Sequence, residues 1–136
     1  MAAPNRKILV VENDKEEIAR CEAALARHPR ASTARISFVN DVLQAMDYMA
    51  GATPFNDRTA FPYPNYIFCK MELPGLPGTE FLRWVRQRSE KGKEDAPFYL
   101  YSKDLPRWAI EPLMQIGASY FVDAPVHWDS ALALII

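Results

Sequence analysis

Short apolar runs alternate with amphipathic stretches along the whole chain. The runs at residues 7–11, 34–39, 66–69, 97–101 and 120–122 are too short for buried helices and close on polar residues or turns. They predict five strands. The third, Tyr-Ile-Phe-Cys at 66–69, lies between Pro64 and the Pro74-Gly75 and Pro77-Gly78 turns. It reads as a central strand buried on both faces, with Lys70 at its tip where the sheet opens to solvent.

The stretches between the runs have helical spacing. Ile18, Cys21, Ala24 and Leu25 share one face of a first helix, which Asp14 caps and His28-Pro29 ends. Asn40 or Asp41 caps a second, carrying Val42, Leu43, Ala45, Met46 and Met49 and closed by Gly51. Phe81, Leu82 and Val85 mark a third over 79–88. A fourth covers 106–116, where Pro112 predicts either a kink or a start near Glu111. A short helix over 128–136 ends the chain.

Strands alternating with helices predict a three-layer α/β domain, a single unit over 1–136. Right-handed crossovers with helices on both faces favour a doubly wound, flavodoxin-like parallel sheet in the order 2-1-3-4-5. That order sets the first and third strands side by side. Glu12, Asn13 and Lys70 then meet at the carboxyl ends of the strands, flanked by Ser102 and Ala124. Residues 52–65 form a long irregular segment with Phe55, Phe61 and Tyr63, which either awaits a partner or tucks its aromatics back. Residues 89–95 read as a charged, solvated loop.

Composition narrows the function. With 16 Lys and Arg against 17 Asp and Glu, the 136-residue chain has a formal net charge of -1, giving no basic field for nucleic acid. No apolar run approaches the roughly 20 residues of a membrane span, and the N-terminus lacks a signal peptide's apolar region. Cys21 and Cys69 read as reduced core thiols. A cytoplasmic protein is the expectation. His28 and His127 have no Cys or His partner at ligand spacing, which argues against a metal role. Trp84, Trp108 and Trp128 are read as core or interface anchors.

Taken in order, the pieces resemble the receiver domain of two-component response regulators over essentially the whole chain. They are Ile-Leu-Val-Val-Glu12-Asn13-Asp14, the turn Lys70-Met-Glu-Leu-Pro-Gly-Leu-Pro-Gly78, Ser102, and Gly117-Ala118 leading to Pro125. The long loop before the third strand is similar to that of stand-alone receivers that partner bacterial phytochromes. The resemblance places Glu12 and Asn13 at the acidic-pair positions that hold magnesium, with Asp14 one residue later. It places the phospho-acceptor position on Lys70 and the switch positions on Ser102 and Phe121. The phosphate-binding lysine falls on Ala124, followed by Pro125.

These departures change the expected chemistry. A typical receiver pocket, with three carboxylates and one lysine, carries a net charge of about -2 and attracts a hard dication. Here Glu12 and Lys70 cancel to about zero unless Asp14 points inward. An ammonium has no lone pair for a metal, and it is no acyl-phosphate nucleophile while protonated. The site is therefore expected to be inactive in phosphotransfer, with Mg2+ binding lost or weak and no other cofactor. Lys70 is expected either to pair with Glu12, and with Asp14 if it turns inward, or to extend into solvent. Such a pair is worth a few kcal/mol at an effective dielectric of about 20, or about 0–1 kcal/mol if open to water. Glu72 is expected to face solvent, or else to bond Lys70 or Lys103.

The resulting expectation is a non-enzymatic pseudo-receiver that signals through protein contacts, with a sensor kinase or another signalling protein as partner and a homodimer as an option. Its contact face would carry Trp108, Met114 and Tyr120. One alternative is phosphorylation at a non-standard residue, Ser102 or Glu72. Another is a small flavodoxin-like enzyme or nucleotide binder, against which stands the lack of a glycine-rich loop after the first strand.

Overall fold

In the computed structural model, residues 6–88 and 96–136 are described; the expected charged loop at 89–95 lies outside them. The strands are β1 (Arg6–Val11), β2 (Ala34–Val39), β3 (Tyr66–Lys70), β4 (Phe98–Ser102) and β5 (Tyr120–Asp123). The helices are α1 (Lys15–Arg27), α2 (Val42–Ala50), α3 (Gly78–Gln87), α4 (Arg107–Ile116) and α5 (Trp128–Ile135), with a short 3-10 turn at Ala31–Thr33. All strand pairs are parallel, in the order β2-β1-β3-β4-β5. The doubly wound sheet and its order follow the expectation. The predicted strands are each within one residue of the observed ones at either end.

Strand alternation divides the core into two layers. Leu9, Val11, Ile67, Cys69, Phe98 and Leu100 pack towards residues of α2, α3 and α4. Ile8, Val10, Phe68 and Tyr101 pack with Cys21 and Ala24 of α1 and Trp128, Leu132 and Ile135 of α5. Helices on both faces explain why the central strands read as unbroken apolar runs rather than alternating ones.

One expectation needs correction here, and one pair of alternatives is resolved. Helix α4 starts at Arg107, not near Glu111, and runs through Pro112. The proline removes the N–H that would reach the Trp108 carbonyl, but both residues lie on the exposed side, where water can satisfy it. The segment before β3 also resolves in favour of packing on its own domain. Phe55 and Phe61 form an aromatic cluster with Tyr48 of α2, with centroids 5.2–6.1 Å apart. The Arg58 guanidinium fastens the loop, donating to the carbonyls of Tyr48 (2.8 Å), Met49 (2.8 Å) and Phe61 (3.2 Å). It thereby satisfies carbonyls at the end of α2, where a cation is also favoured by the helix dipole.

Candidate functional site

The site lies at the carboxyl ends of β1, β3 and β4. Glu12 directly follows β1, and its backbone N–H is fixed to the Val39 carbonyl at 2.9 Å. Its side chain is only 1% exposed. A buried carboxylate needs partners, and Glu12 has four. Oε2 accepts from the amides of Asn13 (2.8 Å) and Asp14 (2.9 Å) and from Lys70 Nζ (3.3 Å). Oε1 accepts from the Tyr101 hydroxyl at 3.0 Å.

Lys70 reaches Glu12 because β1 and β3 are neighbours in parallel register, Val11 opposite Cys69. Its side chain is 24% exposed, so the ammonium closes the mouth of the site and keeps part of its hydration. The turn behind it is tightly built. A Cβ on Gly78 would sit 2.2 Å from the Lys70 carbonyl oxygen, so only glycine fits. The Gly78 amide donates to the Met71 carbonyl at 2.9 Å, and the Met71 amide donates to the Tyr101 carbonyl at 3.0 Å. Gly75, at φ 81, supplies the left-handed residue of the turn.

The other expected positions divide. Asp14 does not turn inward: its carboxylate caps α1, accepting from the Glu16 amide at 2.9 Å. Only its amide serves Glu12. Asn13 likewise contributes its amide, and its residue is exposed. Ser102 is buried at the end of β4, and Ala124 lies beside it, its amide donating to the Ser102 carbonyl at 3.0 Å. The Ala124–Pro125 peptide is cis. Phe121 is half-buried against the α2–α4 side of the core. Glu72 corrects the expectation of either a purely solvated side chain or a lysine partner. Its residue is exposed, but its carboxylate Oε1 accepts the Ser102 hydroxyl.

Electrostatics keep the acidic protons near Glu12 in place. Burial pushes the Tyr101 phenol well above its ordinary value, and the Glu12 charge beside it pushes further the same way. Burial, then the Glu12 charge, raises the Cys69 thiol. Tyr101 is thus a fixed neutral donor.

A magnesium ion does not fit this donor set. Three donors converge on Glu12 Oε2 and one on Oε1, and one of the four is the Lys70 ammonium, which repels a dication and has no lone pair to give it. Among the described residues, no group of three or more His, Cys, Asp or Glu side chains is placed to hold a metal.

Sequence reasoning missed Glu17. It is buried on α1, where Oε1 accepts from Trp128 Nε1 at 2.7 Å and the Val126 amide at 3.2 Å. Oε2 pairs with Arg20. Glu17 thereby ties α1 to the segment between β5 and α5. Its spacing with Cys21 and Ala24, four and seven residues on, was the available signal.

No protein-family model and no curated protein sequence matches the chain. Solved structures do. The chain has the fold of response regulator receiver domains. A response regulator in red light signaling of R. palustris is 24% identical, with TM-score 0.78, over 93% of this chain and 88% of that one. The bacteriophytochrome response regulator RtBRR is 26% identical, with TM-score 0.74, over 94% of this chain and 74% of that one. A two-component response regulator from Legionella pneumophila is 19% identical, with TM-score 0.78, over 96% of this chain and 95% of that one. Among the described residues no helix is long and apolar enough to cross a membrane.

Proposed function

We propose that this chain is a receiver-like module of a two-component or phosphorelay system that signals through protein contacts, without phosphoryl transfer at the residue-70 position. The observation that carries this reading is the Lys70–Glu12 pair at 3.3 Å, on a buried carboxylate that also accepts from two amides and the Tyr101 hydroxyl. The ammonium supplies in cis one positive charge, half of what a dication would bring, and that suffices to balance Glu12. It offers no carboxylate to carry a phosphoryl group. Mg2+ binding is accordingly lost or weak, and the module performs no chemistry of its own.

Output then rests on surface. Trp108 on α4 is 79% exposed, and Tyr120 on β5 56%. Met114 is exposed on α4 as well. Large aromatics left in solvent favour a protein partner, such as a sensor kinase or another signalling protein. The likeness to phytochrome response regulators supports the same class of pathway.

Incubation with acetyl phosphate and magnesium, followed by intact-mass analysis, tests the reading. The expected result is no mass gain of a phosphoryl group. Stoichiometric gain at any residue overturns phosphorylation independence, including gain at Ser102 or Glu72.

A further inference from the structure

We infer that Glu72 is the built-in anionic partner of Ser102, a positioning residue that holds the β4–α4 loop in one state. This deepens the proposed reading and rests on it for its signalling meaning. The geometry stands by itself.

Ser102 is a buried hydroxyl at the end of β4. A serine has one O–H to donate, and here it goes to the carboxylate of Glu72, two residues beyond Lys70. In return Ser102 Oγ accepts from the Asp104 amide at 3.3 Å. A single hydroxyl therefore joins the β3–α3 turn to the first residues after β4. The turn is itself anchored, since the Met71 amide donates to the Tyr101 carbonyl and Gly78 admits no side chain. The Glu72 carboxylate is thus presented from a constrained support.

Two consequences follow from chemistry alone. A hydrogen bond to an ionised acceptor is stronger than one to a neutral group, which favours the Glu72 carboxylate as the acceptor of the Ser102 proton. Any second anion approaching Ser102 has to displace Glu72 first, because no other hydroxyl proton is available. The β4–α4 loop is held whether or not an anion arrives, and α4, with Trp108 exposed on it, begins at Arg107 just beyond that loop. The bond thus restrains the segment that leads into the contact face.

Amide hydrogen exchange on the full chain tests this. In Glu72→Ala the Asp104 amide should exchange about tenfold faster than in wild type, with Glu72→Gln between the two. Ser102→Ala, which removes the acceptor itself, should accelerate exchange at least as much as Glu72→Ala, and the double variant no more than Ser102→Ala. Unchanged protection at Asp104 in folded Glu72→Ala overturns the inference, as does an additive double variant. Phosphoryl incorporation detected by mass would instead sink the phosphorylation-independent reading, whereas the exchange pattern is read on unmodified protein, so the two failures are distinguishable.

Discussion

Tyr101 donates its phenol proton to Glu12 Oε1 at 3.0 Å, from the opposite side of the carboxylate to Lys70. The two residues have different places and different jobs: Tyr101, on β4, sits in the α1–α5 layer of the core, while Glu12, just past β1, opens on the strand ends. One hydrogen bond thus connects core packing to the state of the site.

Removing that bond should be costly. Tyr101→Phe leaves a buried carboxylate oxygen without its donor while preserving the ring's contact with Trp128, 6.0 Å between centroids. The expected loss is about 1.5–3 kcal/mol, the range for a hydrogen bond to a charged group. A lowered urea midpoint with an unchanged slope is the signature. An unchanged midpoint would mean that water replaces the phenol at Glu12.

Alkaline pH should destabilise the domain through its buried thiols and the Tyr101 phenol. Tyr101, Cys69 and Cys21 are all raised in the folded state by burial, Cys21 to about 12. Unfolded, the thiols ionise near 9.0 and the phenol near 10.0. Because the folded state keeps protons that the unfolded chain releases, stability is fully present below pH about 9 and falls as pH rises beyond it. Melts across that range check the sign. In the native protein at pH about 8 both thiols should react slowly with a disulfide reagent, and rapidly once it is denatured.

Arg58→Ala should release the segment before β3. It removes three hydrogen bonds from a charged donor to buried carbonyls and the guanidinium's contact with the Tyr48 ring, 5.9 Å to the centroid. A loss of about 2 kcal/mol is expected, with faster limited proteolysis confined to residues 52–65. Proteolysis at the wild-type rate would show that the aromatic cluster alone holds the loop.

The sequence made the sheet legible because its central strands β1, β3 and β4 are largely buried, so their apolar runs stand out against charged helices. It also placed Lys70 beside Glu12, since strand order alone brings the ends of β1 and β3 together. Side-chain pairing across loops was harder to read. Glu72 looked solvated because its residue is exposed, and only the fold brings Ser102 within reach. Glu17 looked like one more charge on α1, because its partners lie more than a hundred residues away, |i−j| 109 and 111. Pro112 suggested a break, yet an exposed helix face tolerates one missing donor.

The central claim is that the Lys70 ammonium, paired with Glu12, makes a metal cation unnecessary at this site. A thermal melt with and without magnesium plus beryllofluoride, on wild type and Lys70→Asp, tests it most directly. Wild type should melt at one temperature in all conditions. Lys70→Asp should melt lower alone, because it sets a second carboxylate beside Glu12, and should regain stability when magnesium and beryllofluoride are added. A clear magnesium-dependent rise in the wild-type melting temperature would contradict the account.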